Sequence, residues 1–398
     1  MANVPFRQAS AQDRRFRMDS LREHLLPPVS ETPTCRSDSL ALKALVLSDK
    51  TWLLLPSVVL GIGAWFLDAS AGVVFALNFL GMIPLARILG DATEEVAAGL
   101  KNDTIGGLLN ATFGNAVEMI LTWQTIRGGL IAVAKGTLLG SILSNLLLVL
   151  GMSFFFGGIG HKQQEFKESG PLVSMSMLLL ACVGFTVPTV VASGHPGDSE
   201  AVLSISRISA VCVLASYAAY LFYQLVTHRV EFEHGGDGGH ADATLSVRAS
   251  VLLLLVTTLV TAACSHCVVS CIEAVVDEWG ISQAFIGVIL LPVIGNACEH
   301  VSAIRMAMHD KPILSIGIAV GSSCQIAMFV LPMAVILGWV LGVPMDFNFE
   351  ILNVVILALA VVIVTVILVD GKSTWIEGFM LQMTYFIIAA AYWFDLDT

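Results

Sequence analysis

Long apolar runs, separated by short polar stretches, fill the sequence from about residue 51 to its end. Most runs reach roughly 20 residues, the length that a helix rising about 1.5 Å per residue needs to cross a bilayer core of about 30 Å. The runs do not alternate between apolar and polar positions, as the strands of a membrane β-barrel would. The pattern therefore predicts an all-α polytopic membrane protein with about 11 transmembrane helices. We place these helices at residues 51–67, 69–89, 105–126, 130–157, 171–193, 201–227, 249–272, 281–308, 312–343, 351–369 and 375–394.

Polar stretches divide the chain into five parts. The predicted parts are a largely disordered cytosolic tail (1–50), one extra transmembrane helix (51–68), a first five-helix repeat (69–228), an acidic linker rich in His and Gly (229–248) and a second five-helix repeat (249–398). The tail is polar and has no apolar centre, so it does not resemble a signal peptide. The linker either binds a cation loosely or is only a solvated tether, which is the more common role of such a stretch.

Composition agrees with a membrane protein and excludes one class of partner. With 56% hydrophobic and 13% charged residues, the chain cannot bury its apolar surface in a soluble core. A net charge of −11 argues against nucleic acid, since no basic stripe lies outside the tail. Cys264, Cys267 and Cys271 share one helix face, which leaves a soft-metal site open beside ordinary helix packing.

The positions of Lys and Arg predict the orientation, because short cytoplasmic loops carry an excess of both. With the tail in the cytosol, the cytosolic loops receive Lys101, Lys162, Lys167, Arg229, Arg248, Lys311 and Lys372. The opposite side receives little beyond Arg127. We therefore predict a cytosolic N-terminus and a C-terminus in the opposite, lumenal compartment.

The two halves of the chain repeat each other. A shift of 181 residues lays Gly-Asn-Ala-Val-Glu at 114–118 on Gly-Asn-Ala-Cys-Glu at 295–299, with four identities in five positions. Without a gap, the same shift also pairs Gly140-Ser141 with Gly321-Ser322. A repeat of five helices enters the membrane from opposite faces in its two copies. The sequence thus predicts the inverted repeats of a secondary transporter, which alternates between inward and outward conformations around a central site.

Glu118 and Glu299 are the candidate centre of that site. An ionised Glu inside a membrane costs at least a few kcal/mol, so such residues mark functional sites by default. Asn115 and Asn296 precede them by three residues, where amide oxygens can join a carboxylate around a hard cation such as Ca²⁺ or Mn²⁺. The alternative is that each Glu stays protonated and hydrogen-bonded to a neighbour.

Residues around these motifs are candidates for supporting roles. Gly114 and Gly295 permit helix distortion or close backbone approach. Five polar residues of the following helices either supply oxygens or hold the carboxylates in position, with packing alone as the alternative for the serines: Ser141, Ser144, Asn145, Ser322 and Gln325. At the cytosolic end of the second segment, Asp91, Glu94 and Glu95 either draw cations into an inward vestibule or form an ordinary solvated helix end.

Two facing carboxylates predict antiport. Withdrawal from water favours a protonated carboxyl group and a bound dication favours the ionised one, so protons and cations compete for one site. We predict no cofactor; Ca²⁺ and H⁺ are the transported substrates. An exchanger that uses Na⁺ or prefers Mn²⁺ is the nearest alternative. A cation channel and a membrane enzyme are alternatives of other classes, although His300 does not share the helix face of Glu299.

The stretches 107–118 and 292–300 closely resemble the two repeat motifs of the vacuolar-type cation/proton exchanger family, within the Ca²⁺:cation antiporter superfamily. The resemblance covers both halves from about residue 51 onwards. It implies one additional helix plus two inverted five-helix repeats, and Ca²⁺/H⁺ antiport into an acidic compartment such as the vacuole. Glu118 and Glu299 match the family's central carboxylates, and Glu94 matches its cytosolic access carboxylate. The oligomeric state stays open, with a homodimer as one alternative.

One segment departs from the family. Segment seven carries His266 and Ser270 where the family usually places acidic residues. A histidine there either changes charge near neutral pH and acts as a proton partner, or is a neutral, hydrogen-bonded core residue. His300 is a second candidate proton partner.

Overall fold

The computed structural model describes residues 35–48, 50–100, 103–195, 197, 199–228 and 243–394. Almost all of these residues are helical, because apolar segments in lipid can satisfy their backbone groups internally only as helices or closed barrels. The helices are α1 (Cys35–Leu47), α2 (Leu55–Phe66, after a 3₁₀ turn at Lys50–Leu54), α3 (Ala71–Gly99), α4 (Asp103–Phe113), α5 (Ala116–Arg127), α6 (Ile131–Gly160), α7 (Ser169–Gly194), α8 (Ser199–Thr227), α9 (Val247–Trp279), α10 (Gln283–Gly295), α11 (Ala297–Met308), α12 (Pro312–Leu341), α13 (Ile351–Leu368) and α14 (Trp375–Trp393).

Each predicted transmembrane segment coincides with one helix or with two consecutive helices. Among the described residues, 7 helices are long and apolar enough to cross a membrane, or up to 9 spans if two bent helix pairs are each counted as one. One of these pairs is α10 and α11, which meet at an angle of 56°. The all-α polytopic fold is therefore confirmed, and the count of 11 stays a prediction.

The predicted N-terminal tail contains the helix α1, which docks onto the transmembrane helices. Asp38 accepts hydrogen bonds from the backbone N–H of Ser246 at 3.0 Å and from its hydroxyl at 2.7 Å. Arg87 of α3 donates to the carbonyl oxygen of Leu45 at 3.1 Å. Residues 1–34 and most of the predicted linker, 229–242, lie outside the described residues, so the roles predicted for them stay predictions.

The internal repeat extends to the secondary structure. Helices α5 and α11 begin and end 181 residues apart, and so do α6 and α12. Both α6 and α12 contain a π-helical turn at a corresponding place, Ser144–Val149 and Ile326–Val330. The internal repeat seen in the five-residue motifs therefore extends to the lengths of the helices and to the positions of their π-helical turns.

Close packing joins the two repeats. Helices α6 and α10 approach so closely at Gly140 that an added β-carbon would lie 2.0 Å from the carbonyl oxygen of Val288. A short antiparallel pair of strands, β1 (Gln164–Glu165) and β2 (Lys372–Ser373), connects the α6–α7 loop to the α13–α14 loop. The outward faces of the helices carry large apolar side chains such as Val59, which is 74% exposed, and these faces suit contact with lipid.

Candidate functional site

Both repeat motifs interrupt a helix. The chain turns at Gly114 and Asn115 between α4 and α5, and at Asn296 between α10 and α11. Each Asn is the N-cap residue, and the Glu three positions later lies in the first turn of the new helix. A helix N-terminus carries partial positive charge, which favours a carboxylate or another negative group there. The helix breaks lie at the glycines that were predicted to permit helix distortion, and each Asn precedes its Glu by three residues at such a break.

The Glu118 side chain is buried, with 2% of its surface exposed, and its Oε1 has no hydrogen-bond partner. It lies against the second repeat: a β-carbon built on Gly295 would be 2.8 Å from Glu118 Oε1. Glu299 lies close enough for the two ionised groups to repel each other, and its Oε2 also has no hydrogen-bond partner. The two repeats thus bring together two carboxyl groups, each with an oxygen that lacks a hydrogen-bond partner. Protons or a shared cation would satisfy these oxygens.

The Asn115 side chain connects its repeat to α12 of the other repeat. Its amide nitrogen donates to Oε1 of Gln325 at 2.6 Å, and its Oδ1 accepts from the hydroxyl of Ser322 at 3.2 Å. Asn145 of α6 donates in turn to Ser322 Oγ at 3.0 Å. Four of the predicted supporting residues therefore form one hydrogen-bonded chain across the repeat boundary.

Asn296, the repeat-related counterpart of Asn115, connects the second repeat to α6 of the first. Its amide nitrogen donates to the backbone carbonyl of Ser141 at 3.1 Å, and its Oδ1 is buried without a hydrogen-bond partner. The Nδ1 of His300 lies 2.7 Å from the backbone carbonyl of Asn296, so this imidazole is held by the backbone of its own helix. Ser144 is fully buried in α6. The unsatisfied oxygen of Asn296 is a suitable neutral ligand for a hard cation.

A cavity of about 780 Å³ leads to Glu299 from one face of the protein. The mouth of the cavity includes Glu165, Phe166 and Lys167 of the α6–α7 loop. Of the predicted site residues, those in the cavity wall are Glu94, Gly114, Asn115, Glu299, Ser322 and Gln325. Glu118 is buried and does not line the cavity. One central carboxyl group is therefore reached from the cavity, and the other is enclosed.

The three acidic residues near the end of α3 occupy different surroundings. Glu94 lines the cavity. Asp91 forms a salt bridge with Arg87 at 3.2 Å. Glu95 accepts hydrogen bonds from the backbone N–H groups of Thr244 and Leu245 at 2.9 and 3.0 Å and from the Thr244 hydroxyl at 2.6 Å. Of the three, Glu94 is the one placed to meet a cation in the cavity, and Glu95 holds the segment before α9.

The cavity wall also contains polar residues that were not predicted as site residues. These are Thr93, Asn110, Glu165, Lys167, Ser174, Tyr220, Gln224, Cys298 and Ser302. Cys298 and Ser302 lie one helical turn apart on α11, and Thr93 directly precedes Glu94. Asn110 lies in the first motif stretch, four residues before Gly114. The proximity of these four residues to the motifs or to Glu94 was a usable signal. The others come from distant helices or from the α6–α7 loop, so only tertiary packing reveals them.

His266 and Ser270 lie away from the central cavity. Both line a second pocket of about 480 Å³ with Arg127 and Glu273. His266 is exposed, and its ring is edge-on to the indole of Trp65 at a centroid distance of 5.7 Å. His266 is thus part of an open pocket wall and not of the packed core.

Carboxylates and neutral oxygens dominate the site. Within the described residues, no three His, Cys, Asp or Glu side chains come together as metal ligands, including the buried cysteines of α9. A cation between Glu118 and Glu299 would take its remaining ligands from amide, hydroxyl and carbonyl oxygens, which suits a hard divalent ion. Such a small number of charged ligands is compatible with an ion that binds and leaves.

Comparison with known proteins identifies the relatives of this chain. The family model described as sodium/calcium exchanger protein matches residues 70–226 and 249–394. Vacuolar cation/proton exchanger 5 of Arabidopsis thaliana is 40% identical over 370 residues, which cover 89% of this chain and 83% of that protein. Vacuolar cation/proton exchanger 3 of Oryza sativa subsp. japonica is 39% identical over 372 residues, which cover 90% of this chain and 88% of that protein.

Solved structures show the same architecture. The structure of native YfkE superposes with a TM-score of 0.75 at 34% identity and covers 86% of this chain and 99% of that chain. A selenium-substituted form of YfkE is described as a Ca²⁺/H⁺ antiporter. The H⁺/Ca²⁺ exchanger CAX superposes with a TM-score of 0.66 at 16% identity, covers 90% of this chain and 92% of that chain, and shares the fold.

Proposed function

Because the chain belongs to the sodium/calcium exchanger family, we propose that it is a secondary antiporter that exchanges a divalent cation, Ca²⁺, for protons. The observation that carries this proposal is the pair Glu118 and Glu299, one from each repeat, brought together with unsatisfied carboxyl oxygens. The names of the relatives support the same activity, since the plant proteins are cation/proton exchangers and YfkE is a Ca²⁺/H⁺ antiporter.

Competition between proton and cation follows from the surroundings of the two carboxyl groups. Two carboxylates without a cation repel each other in a buried site, so protonation of at least one relieves the repulsion. A dication satisfies both charges at once and displaces the protons. When the site faces the other compartment, a high proton concentration reverses this exchange. Protons and cation therefore cross the membrane in opposite directions on the same pair of side chains.

The proton gradient supplies enough free energy. Each pH unit is worth about 1.36 kcal/mol per proton, so two or three protons that move down a gradient of two units supply roughly 5 to 8 kcal/mol. Since each 1.4 kcal/mol corresponds to about a tenfold ratio, this free energy supports a cation ratio of several thousandfold or more.

The neutral residues of the site hold the carboxyl groups in place. Asn115, Ser322 and Gln325 form one hydrogen-bonded chain between the repeats, and Asn296 bonds to the backbone of α6. The Oδ1 of Asn296 lacks a hydrogen-bond partner, as do the Oδ1 of Asn145 and the hydroxyls of Ser141 and Ser144, and Asn296 is the one of these that directly precedes the helix of Glu299. We assign Asn296 as a ligand of the cation and the Asn115 chain as a positioning device.

The cavity faces the cytosol in this proposal. Its mouth is at the α6–α7 loop, which carries Lys162 and Lys167, and the same face carries Lys311 and Lys372. Short loops rich in Lys lie on the cytosolic side. The structure then corresponds to an inward-facing conformation in which Glu94 meets the cation first. The relatives named vacuolar exchangers support a vacuolar or other acidic-organelle membrane, with export of the cation from the cytosol.

The test is uptake of ⁴⁵Ca²⁺ by proteoliposomes with an acidic interior. Uptake should require the pH gradient, stop when an ionophore collapses it, and disappear in Glu118→Gln and in Glu299→Gln. Glu200→Gln is the matched control, because Glu200 is an exposed carboxylate at the first turn of α8, outside the cavity. Uptake driven by a Na⁺ gradient without a pH gradient would refute proton coupling. Competition by Mn²⁺ at concentrations below those of Ca²⁺ would reassign the preferred cation.

A further inference from the structure

Helix α1 lies nearly perpendicular to the helices beside it. From Asp38 onwards it meets the segment that contains α2 at an angle of 83°. Helix α2 in turn runs along α3, with close backbone approach at two levels, Gly61 against Asn78 and Gly81 against Val58. Since α3 is long and apolar enough to cross a membrane, α2 is aligned with the membrane spans and α1 lies close to the membrane plane.

The bend between α1 and α2 lies where the apolar run of α3 ends. Residues 71–86 of α3 carry no charge. The first charged residue of this helix, Arg87, donates hydrogen bonds to the hydroxyl of Thr51 and to the carbonyl oxygen of Leu45, both at 3.1 Å. Trp52, in the turn before α2, is 40% exposed, and tryptophan is enriched at membrane–water interfaces. Helix α1 is therefore at the level of the lipid headgroups on the side where α3 ends, the cytosolic side in the proposed orientation.

The two faces of α1 have different surroundings. One face docks onto the helix bundle, where Asp38 accepts hydrogen bonds from the backbone N–H and the hydroxyl of Ser246, the N-cap residue of α9. The opposite face carries Leu40 and Leu47, two helical turns apart, which are 66% and 54% exposed. Lys43 lies between them and is exposed as well. This outward face thus points away from the bundle at the level of the headgroups.

We propose that the outward face of α1, formed by Leu40, Lys43, Ala44 and Leu47, inserts into the lipid of the cytosolic leaflet. Interfacial helices bury their apolar face about 5–10 Å into the boundary between headgroups and acyl chains. The apolar stem of a lysine lies along such a surface while its amine stays in the polar layer, where it meets the lipid phosphates. The charge and the apolar side chains of this face therefore both suit a phospholipid surface.

The continuity of the exposed apolar surface identifies lipid as the occupant. Leu53, in the turn that joins α1 to α2, is 59% exposed, and Val59 on α2 is 74% exposed. An outward side chain such as Val59 on a membrane-spanning helix faces acyl chains. The same surface continues from α2 through the bend to Leu47 and Leu40. The inference does not depend on which ion is transported, so it goes beyond the proposed antiport.

Insertion of α1 fixes the cytosolic parts of two long helices relative to the lipid surface. Asp38 is bonded to the start of α9, and the carbonyl oxygen of Leu45 is bonded to Arg87 of α3. Glu94, which lines the central cavity, follows Arg87 by two helical turns. The depth of α1 in the leaflet therefore sets the depth of the helix that carries this carboxyl group.

The experiment measures fluorescence quenching on the full chain in vesicles of phosphatidylcholine and phosphatidylglycerol. A small fluorophore is attached to Leu40→Cys or to Leu47→Cys in a background with Cys35→Ser and Cys212→Ser, and the signal of the labelled background is subtracted. The quenchers are iodide on both sides of the membrane, and lipids that carry a nitroxide either near the headgroup or deep in the acyl chain. Size-exclusion chromatography checks that each variant is folded.

Labels at positions 40 and 47 should be quenched more strongly by the shallow nitroxide than by the deep one, and little by iodide. Val59→Cys on α2 is the lipid control, and Lys162→Cys, an exposed residue in the loop after α6, is the water control. Iodide quenching at positions 40 and 47 equal to that at position 162 would place the outward face in water and overturn the proposal. Quenching by neither reagent would also overturn it, because residues 1–34 or a second copy of the chain would then cover this face.

The contribution of the two leucines is tested with the label on Ala44→Cys, which lies between them. This label should show the same preference for the shallow nitroxide. Addition of Leu40→Gln and Leu47→Gln should make it accessible to iodide, because the outward face is then polar while the docked face at Asp38 is unchanged. Unchanged lipid quenching in the combined variant would mean that the leucines do not insert, which overturns their role.

Discussion

The carboxyl group of Glu118 lies against the backbone of Gly295, so that a β-carbon on residue 295 would be 2.8 Å from Glu118 Oε1. The two residues belong to different repeats, and Gly295 ends the helix before the one that carries Glu299. The helix break of one repeat therefore packs against the carboxyl group of the other repeat. A side chain at position 295 would therefore displace the Glu118 carboxyl group.

Gly295→Ala is expected to abolish most transport without unfolding the protein. The added methyl group occupies the space of Glu118 Oε1, and displacement of a binding group by about 1 Å can lower a rate by about a hundredfold. We expect the initial rate of ⁴⁵Ca²⁺ uptake to fall about tenfold or more. Gly63→Ala is the control, since a β-carbon at this helical position in α2 meets nothing within 4 Å. Equal uptake rates in both variants would contradict the proposed packing of the Glu118 carboxyl group against Gly295.

Gly140→Ala is expected to destabilise the fold, whereas the same change at the repeat-related Gly321 is not. A β-carbon on Gly140 would lie 2.0 Å from the carbonyl oxygen of Val288, and one on Gly321 meets nothing within 4 Å. Overpacking at a backbone contact costs about 1–3 kcal/mol or more. Thermal unfolding in detergent, followed by size-exclusion chromatography, should show a clear loss for Gly140→Ala alone. A similar loss of stability in both variants would mean that helix propensity or backbone flexibility, and not the contact with Val288, determines the stability.

Asn115 and Ser322 should be coupled, because the Ser322 hydroxyl donates to Asn115 Oδ1 across the repeat boundary. We expect Asn115→Ala and Ser322→Ala each to slow uptake and the double variant to be less impaired than the sum. A coupling energy of about 0.5–2 kcal/mol is expected from such polar pairs. Asn115→Ala combined with Ser315→Ala provides the reference cycle, since Ser315 is also buried in α12 but its hydroxyl has no hydrogen-bond partner. Coupling of the same size in the reference cycle would argue against a specific contact.

Neighbouring acidic residues at the end of α3 should have different roles. Glu94→Gln removes a charge from the cavity and should raise the KM for cytosolic Ca²⁺ about three- to tenfold, because a local negative charge concentrates cations. Glu95→Gln weakens hydrogen bonds to Thr244 and Leu245 and should lower the stability by about 1–3 kcal/mol with little change in KM. Uptake kinetics and thermal unfolding of both variants separate these effects. A raised KM in Glu95→Gln with unchanged unfolding would reverse the assignment.

The helix breaks fall at the motif glycines. Gly114 and Gly295 were predicted to permit helix distortion, and the chain is interrupted at both motifs. The amide group of Asn115, whose oxygen was predicted as a cation ligand, is hydrogen-bonded to Gln325 and Ser322. A short motif shows which residues are available to each other along one helix. It does not show which residue of another helix competes for them.

The sequence by itself determined the helical membrane fold, the two repeats and their central pair Glu118 and Glu299. The reason is that the length of the apolar runs, the constant shift between the repeats and the charged residues inside apolar runs can be read directly along the chain. Only the tertiary structure decided that Glu299 is reached from a cavity while Glu118 is enclosed. It also decided that Glu94 lines this cavity while Glu95 binds the segment before α9. The same holds for the second pocket, in which Arg127 lies with His266 and Glu273. These relationships join residues that are far apart in the chain. They depend on how helices cross and on which face of each helix meets its neighbour, and helix crossing is set by packing between segments and not by the pattern within any one of them.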